Sequence, residues 1–390
     1  MTPRSASLIT LLSSAIVLSA CRRDVVTGIP GISASAENGV DITIAPSSGT
    51  LEPSQTLQFT ATVRAKSGEV IENAPVEWSS TNEAVATVTQ SGLATAVAAG
   101  DAQLRATFAN VTAEASVTVA EPPTLRGVIL YVTSLFGPTD LAVVNPDGSG
   151  RRLLTTDGRG YGPEISPDGR HIVFARLGAI YVMKADATDL RQIFSGRFPS
   201  TPAWSPDGSR IAFGLNVPGP FGDAGRIFVM SADGSGVRQL SPDVPDPNQF
   251  YYSDYGPNWS PDGSKIAFSR FGELTVINVD GTGMMTLPTP DGGEYPSWSP
   301  DGTRLAFTSW KTTRDVFVSN ADGSNAVRIT SAPEQENTPR WSPDSHRLVF
   351  CRVINGYFQL YIINADGTDE TRLSANPNAS ECPAVWSPVP

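Results

Sequence analysis

The chain is poor in the residues that most often carry chemistry, because its 390 residues include two histidines and three cysteines. His171 and His346 each lie just after a Ser-Pro-Asp sequence, which predicts a surface turn at both positions. Three cysteines are too few for a disulfide scaffold and are wrongly spaced for a zinc site. The chain therefore offers little material for histidine- or cysteine-based catalysis.

Catalytic and nucleotide-binding motifs are also missing. The sequence has no Gly-x-Ser-x-Gly elbow, phosphate loop or paired-histidine metal motif. The segment at 364–367 begins like a calcium loop but lacks the glutamate that such a loop needs downstream. We expect no metal, no cofactor and no enzymatic activity, although carboxylate-based hydrolysis stays open because acidic residues are plentiful.

Positive charge is in deficit, with 28 Lys and Arg against 39 Asp and Glu, a net charge of −11. Nucleic-acid-binding proteins carry a basic stripe, which this chain lacks, so we expect no nucleic-acid partner. Long helical patterns are absent after the first twenty residues. Frequent Gly and Pro between short apolar runs predict an all-β chain.

The N-terminus has the pattern of an export signal. Arg4 precedes an apolar stretch at 8–18, which is too short to span a bilayer well. The stretch ends in Leu-Ser-Ala-Cys, which resembles the bacterial lipobox. This resemblance implies cleavage after residue 20 and lipidation of Cys21, and the alternative is an ordinary signal peptide with an incidental cysteine. The small, polar residues at 22–38 predict a flexible tether, so that 21–38 would be the lipidated cysteine and its tether.

A small β-sandwich is predicted over residues 39–120. Alternating apolar residues at 56–63 predict one strand with a single buried face. The segment 76–100, with its tryptophan, Ser-Ser-Thr-Asn turn and spaced glycines, resembles the bacterial immunoglobulin-like domain of group 2. The resemblance leaves open whether the domain is a spacer or an adhesive module. Residues 121–126 form a short linker.

Two phrases alternate through the rest of the chain. Trp-Ser-Pro begins at Trp204, Trp259, Trp298, Trp341 and Trp386, with Ile165-Ser166-Pro167 as a weaker copy. Asp-Gly begins at Asp147, Asp233, Asp280, Asp322 and Asp366, with a variant at Asp186. The first phrase predicts a type I turn, and the second a type I′ hairpin turn. Each unit then has four short antiparallel strands, which is a propeller blade.

The two ends of the repeat region are complementary. The first unit begins at its second strand, near Ile129, and the chain ends with a spare first strand at 383–388. We therefore predict a six-bladed β-propeller over residues 127–390, in which the last strand completes the first blade and leaves no open edge. The phrases resemble TolB-type, WD40-like propeller repeats of bacterial envelope proteins. TolB carries an α/β domain ahead of its propeller, so its partners do not transfer to this chain.

The topology predicts two unlike faces. Both tight turns of a unit follow an odd-numbered strand and share one end, here called the turn face. The connections of variable length share the other end, the loop face. Exposed aromatics on such loops suit recognition of a partner, and the alternative is that they pack beneath their own loops. The candidate binding residues are Phe221, Phe250, Tyr251, Tyr252, Tyr255, Tyr295, Trp310 and Tyr357.

Cys351 and Cys382 fall in neighbouring predicted blades near the loop face. In an oxidising compartment they are candidates for a disulfide that ties the ring closure, and the alternative is two free thiols.

Three functions are compatible with these features. The leading hypothesis is a non-catalytic, lipid-anchored binding or scaffold protein of the cell envelope, facing the periplasm from the outer membrane or lying at the cell surface. It contacts the membrane through its lipid and an envelope protein or glycan through the loop face. The alternatives are a surface carbohydrate-binding or adhesive protein and, less favoured, a propeller hydrolase with clustered carboxylates.

Changing Cys21→Ser is expected to move the protein from the detergent phase to the aqueous phase in detergent phase separation, because the lipid can no longer be attached. The tether variant Ser33→Ala should partition like the unmodified protein. A Cys21→Ser protein that stays in the detergent phase would refute lipidation at this residue.

Overall fold

The computed structural model describes residues 39–121, 124–134, 139–156, 158, 160–219, 222–243, 253–309 and 314–388. Every regular element within these ranges is a β-strand, and the chain divides into two compact units, 1–122 and 123–390. The predicted all-β class, a sandwich ahead of a propeller, is confirmed. None of the described segments forms a helix that is long and apolar enough to cross a membrane.

The first unit contains a four-stranded sheet in the order β2-β9-β8-β5, a three-stranded sheet β3-β7-β6 and the pair β1-β4. Phe59, Trp78 and Leu104 are among the buried residues of its core. Its strands are β1 (Val40–Ala45), β2 (Ser48–Leu51), β3 (Thr56–Gln58), β4 (Thr60–Ala65), β5 (Glu77–Ser80), β6 (Ala86–Val88), β7 (Leu93–Ala96), β8 (Gly100–Phe108) and β9 (Val111–Val119).

The single strand predicted at 56–63 is divided at Phe59. β3 pairs with β7, whereas β4 pairs with β1, so the two halves serve different sheets. Phe59 lies between them and is completely buried. Alternation along a sequence reports which side chains face the core, but not which partner each half of the strand pairs with.

The second unit contains six four-stranded sheets within the described residues, here called blades 1 to 6. Blade 1 is β33 (Ser380–Trp386), β10 (Ile129–Ser134), β11 (Asp140–Val144) and β12 (Arg152–Leu153). Blade 2 is β13 (Tyr161–Ile165), β14 (His171–Arg176), β15 (Ala179–Lys184) and β16 (Arg191–Ser195), and blade 3 is β17 (Ser200–Trp204), β18 (Arg210–Gly219), β19 (Gly222–Ser231) and β20 (Arg238–Gln239).

The remaining blades follow the same order. Blade 4 is β21 (Asp254–Trp259), β22 (Lys265–Arg270), β23 (Glu273–Asn278) and β24 (Met285–Thr286). Blade 5 is β25 (Glu294–Trp298), β26 (Arg304–Thr308), β27 (Val316–Asn320) and β28 (Val327–Arg328), and blade 6 is β29 (Glu336–Trp341), β30 (Arg347–Ile354), β31 (Tyr357–Asn364) and β32 (Thr371–Arg372).

The blades are arranged in a closed ring. The innermost strands contact each other in the order β13, β17, β21, β25, β29 and β33, and β33 contacts β13 again. β33 comes from the C-terminal end of the chain and pairs with β10, with Ile129 opposite Trp386. Leu125, assigned to the linker by its sequence position, is buried in the core of this unit, and its backbone N–H donates to Gly169.

The Ser-Pro-Asp-Gly turns are closed by their own side chains. In blade 3, Ser205 Oγ donates to Asp207 Oδ1 at 2.5 Å and accepts from the backbone N–H of Arg210 at 2.9 Å. Hydrogen bonds to the carboxylate, above all the one from Ser205, lower the pKa of Asp207 to about 2. The serine and the aspartate of the repeat are therefore occupied in building the turn.

The type I′ prediction for the Asp-Gly turns is wrong. In blade 3 only Gly234 has positive φ, and its N–H donates to Ser231 as in a type I turn. Paired positive φ angles occur instead at 177–178, 271–272 and 355–356, in the hairpins that join strands two and three. The type I′ twist suits a two-residue hairpin loop, whereas the Asp-Gly connection is one residue longer.

The inner strands of blades 2 to 6 are bulged near their middle. The residue three positions before the repeat tryptophan, or before Ile165 in blade 2, has positive φ, and the pairing register shifts there. These residues are Gly162, Thr201, Gly256, Tyr295 and Thr338. A bulge bends its strand and re-aims the neighbouring side chains. The bulges therefore decide which side chains meet in the channel at the centre of the ring.

The repeat tryptophans differ in one hydrogen bond. Trp259 and Trp204 are both buried, but Nε1 of Trp259 donates to the carbonyl of Ala203 at 3.1 Å, whereas Nε1 of Trp204 has no partner within the described residues. The guanidinium of Arg210 also lies 4.8 Å from the centre of the Trp259 ring.

Trp259→Phe is therefore expected to lower the free energy of unfolding by about 1 kcal/mol more than Trp204→Phe does, because only Trp259 loses a buried hydrogen bond. Chemical denaturation of the two variants measures the difference. Equal destabilisation, or a larger loss in Trp204→Phe, would contradict this assignment.

Candidate functional site

Three of the predicted binding aromatics lie within the described residues. Tyr255 and Tyr295 are in the inner strands β21 and β25 and not in exposed loops, and their ring centres are 5.3 Å apart. Burial raises the pKa of Tyr255 well above its usual range, and the neighbouring Glu294 adds to the shift. These two tyrosines pack together beside the channel. Tyr357 is half-buried at the start of β31, next to the loop-face turn at 355–356.

The other candidates fall outside the described residues. They are Cys21 for lipidation and Phe221, Phe250, Tyr251, Tyr252 and Trp310 for binding.

The loop face is uneven because two of its hairpins are long. β18 and β19 have ten residues each, whereas β14 and β22 have six. The strands start together at the turn face, so the four extra residues of β18 extend the hairpin by about 13 Å at the loop face. The strands β30 and β31 of blade 6 have eight residues each. Blades 3 and 6 are opposite each other in a six-membered ring, so the mouth of the channel lies between these two hairpins.

Two apolar side chains near the long hairpin face solvent. Leu177, in the loop-face turn of blade 2, is 64% exposed, and Phe198, between blades 2 and 3, is 66% exposed. Arg197 forms an ion pair with Asp223 of the long hairpin, with Nε 2.6 Å from Oδ2. The projecting end of the hairpin is thus joined to the connection that carries Phe198.

Hydrogen bonds from hydroxyl groups to buried carboxylates join neighbouring blades beneath the loop face. Ser241, after the last strand of blade 3, donates to Asp254 at the start of blade 4 at 2.6 Å, and Ser374 of blade 6 donates to Glu381 of blade 1 at 2.7 Å. Thr330 of blade 5 bonds Glu336 of blade 6 in the same way. Each hydroxyl also accepts a backbone N–H from the third strand of its own blade.

An arginine completes each of these junctions. Arg270 Nη1 lies 3.4 Å from Asp254 Oδ2, Arg352 Nη2 lies 2.6 Å from Glu336 Oε1, and Arg151 Nη1 lies 2.8 Å from Glu381 Oε1. Burial raises the pKa of Asp254. These junctions were not predicted from the sequence, although a Ser or Thr directly after an apolar residue follows the fourth strand of blades 3, 5 and 6. At the loop-face end of the ring, Asp254, Glu336 and Glu381 therefore serve as structural ion-pair partners.

The structure brings the two predicted cysteines together as a disulfide between β30 and β33. The Cα atoms of Cys351 and Cys382 are 6.0 Å apart, within the usual range for a disulfide. Cys351 is completely buried in the core that blades 6 and 1 share. The bond therefore crosses the junction at which the ring closes.

The channel has a second group of polar side chains at its turn-face end, namely Glu164, Asn258 and Arg340, which line one cavity. His346 lies at a surface turn beside Asp344, as predicted from the sequence. Within the described ranges, no group of three or more His, Cys, Asp or Glu residues is placed to hold a metal ion.

Residues 270–389 match the family described as the TolB beta propeller domain, and residues 40–119 match the bacterial Ig-like domain of group 2. The chain therefore carries a TolB-type propeller and a bacterial Ig-like domain.

Two solved structures have the same fold at low sequence identity. TolB from Acinetobacter baumannii is 16% identical with a TM-score of 0.57, and the likeness covers 83% of this chain and 84% of that chain. A protein described as a putative TolB from Agrobacterium tumefaciens is 18% identical with a TM-score of 0.51, over 63% of this chain and 88% of that chain.

Two curated proteins match over shorter regions. An uncharacterized protein of Agrobacterium fabrum is 29% identical over 133 residues, which is 31% of this chain and 43% of that protein. An uncharacterized peptidase of Bacillus subtilis is 40% identical over 65 residues, which is 17% of this chain and 8% of that protein. The matches thus span less than half the length of these relatives.

We predict that a chain starting at Arg22 and purified without reductant has no free thiol when denatured. Reduction should lower the free energy of unfolding by about 3–4 kcal/mol, because the bond closes a loop of roughly thirty residues. The double variant Cys351→Ala, Cys382→Ala is the control and should be insensitive to reductant. Two titratable thiols in the unreduced protein would contradict the pairing.

Proposed function

We propose that the chain is a non-catalytic binding protein of the cell envelope that presents the loop face of its propeller to a protein partner. The observation that carries this proposal is the long hairpin of β18 and β19, which stands about 13 Å above the hairpins of its neighbours on a rigid ring. A projecting hairpin has no role in closing the ring, because β18 and β19 are already paired over the length that the other blades use.

The surroundings of the hairpin support recognition of a protein. Leu177 and Phe198 expose apolar surface beside it, and large apolar side chains on a fixed scaffold are typical of interface anchors. Backbone hydrogen bonds from Gly196 to Gly178 and from Asn216 to Arg197 hold these positions in place, so that little ordering is required when a partner binds.

The envelope location rests on the N-terminal sequence and on the family of the propeller. The lipobox-like residues before Cys21 predict a lipid anchor, and the tether and the Ig-like domain then separate the propeller from the membrane. The TolB-type propeller domain is compatible with this location.

The structure supports the two other hypotheses less well. Tyr255 and Tyr295 pack against each other and are half-buried, so they are poorly placed to stack on a sugar ring. A hydrolase needs two free carboxyl groups close together, whereas Asp254, Glu336 and Glu381 are each bound to an arginine.

Shortening the long hairpin tests the proposal. Replacing residues 216–225 by Asn-Gly joins Leu215 to Arg226, which are already paired, through a two-residue type I′ turn like that at 355–356. We expect this variant to keep its fold and to lose partner binding.

Photo-crosslinking provides the measurement. A photoreactive residue at position 177 or 198, on the loop face, is expected to give an adduct with one envelope protein in envelopes of the native organism, and the shortened hairpin should abolish that adduct. The matched controls are the exposed rim positions Leu153 and Met285, which should give none. Adducts from the rim alone, or adducts that survive the shortening, would refute the loop face as the binding surface.

A further inference from the structure

The turn-face end of the channel contains a cavity of about 310 Å³. Residues from blades 2, 4, 5, 6 and 1 line it, and a single cavity borders five blades only if it lies on the axis of the ring. Its lining includes Pro300 and Pro343 of the turns, so it lies at the opposite end of the channel from the loop face. The volume is at the lower end of the range for small-molecule sites.

One position of the repeat supplies the charged and amide groups of the cavity, namely the residue that precedes the tryptophan or its equivalent. In blades 2, 4 and 6 this residue has a long polar side chain, and in blades 3, 5 and 1 it is small. The six residues, in blade order from 2 to 1, are Glu164, Ala203, Asn258, Ser297, Arg340 and Val385. Three polar groups thus approach the axis from alternate blades, and the small residues between them leave the space open.

The two charged groups lack close counter-charges. Among the described residues no ion pair joins Glu164 to Arg340. Within the described part of the chain, Arg340 makes one hydrogen bond, from Nη1 to the carbonyl of Pro339 at 3.1 Å. A guanidinium has five N–H donors, so most of them stay available. Both side chains are half-buried, and a charge that is partly withdrawn from water without a partner is unfavourable. A bound ligand of opposite charge would offset that cost.

Glu164 is the negative counterpart. Its Oε2 accepts one bond, from the backbone N–H of Trp204 at 3.3 Å. Burial raises the pKa of Glu164 to about 7, against the opposing effects of Arg340 and of this bond. The carboxyl therefore lies near a positive charge but has no cation in contact with it.

Asn258 adds a neutral donor between the two. Its Oδ1 accepts from the backbone N–H of Trp298 at 2.7 Å, which leaves the two N–H groups of its amide for another carbonyl or carboxylate. Trp298, Trp341 and Trp386 contribute the apolar walls. The lining therefore offers a guanidinium, a carboxyl and an amide around a small aromatic enclosure.

We propose that this cavity binds a small zwitterion of the amino-acid or dipeptide class. Arg340 takes the carboxylate, Glu164 takes the ammonium group, Asn258 donates to the carbonyl between them, and the tryptophans enclose the side chain. This site is independent of the proposed partner surface, because it lies at the other face and uses other residues.

The unmodified full-length protein tests the site directly. The probe is L-alanyl-L-alanine, with two matched analogues: the C-terminal amide, which lacks the carboxylate, and the N-acetyl dipeptide, which lacks the ammonium group. Binding is followed by tryptophan fluorescence, since three tryptophans line the cavity, and by isothermal calorimetry. We expect saturable one-site binding of the zwitterion and a loss of about 10- to 100-fold in affinity for each analogue.

Two variants assign the charges. Arg340→Gln should remove the preference for the free dipeptide over its C-terminal amide, and Glu164→Gln should remove the preference over the N-acetyl form. Arg170→Gln, at an exposed arginine of the same face outside the cavity, is the control and should bind like the unmodified protein.

Absence of saturable binding by the unmodified protein would overturn the proposal, as would equal affinity for all three probes. Both outcomes are measured on the unmodified protein. The proposal can therefore be refuted even if one of the variants fails to fold. If the protein with its full-length hairpin gives no loop-face adducts but binds the dipeptide, the partner surface alone is refuted.

Discussion

The pairing of β33 with β10 is the contact on which the whole propeller depends. A row of blades without it would expose an unpaired strand at one end and a three-stranded first blade at the other. The closing strand is held by two hydrogen bonds between Val128 and Ser387, by the disulfide that joins Cys382 to Cys351 of blade 6 and by the Glu381 junction. Pairing these two strands has a high entropic cost, because they are far apart in the sequence. Hydrogen bonds, a disulfide and an ion pair all stabilise the ring at this place.

Closure separates the roles of the two ends of the ring. At the turn face, blades 2 to 6 repeat a turn whose serine and aspartate satisfy each other and the backbone, as Ser205 and Asp207 do. At the loop face, buried acid–arginine–hydroxyl junctions hold the blades together, so the hairpins above them are free to differ in length. The long hairpin of β18 and β19 is tolerated because the ring beneath it is complete without it.

The repeat made most of the architecture predictable. Trp-Ser-Pro and Asp-Gly mark turns at regular spacing, and their offset at the two ends predicted the closing strand. Three features were not predictable at that level. The strand at 56–63 divides at Phe59, the type I′ turns lie between strands two and three, and Tyr255 and Tyr295 belong to inner strands. Each depends on which strand pairs with which and in what register, and local residue preferences do not report that.

The candidate sites likewise depend partly on features that the sequence predicts and partly on features that need the tertiary structure. The sequence by itself determined the class of fold and the placement of the turns, because these follow from local turn chemistry and from a regular period. It put Cys351 and Cys382 in neighbouring blades, and the structure then paired them. Only the tertiary structure decided that Glu164, Asn258 and Arg340 share one cavity. They are far apart in the chain, and they meet because ring closure brings the same position of alternate blades to one axis, where bulged inner strands aim the side chains inward.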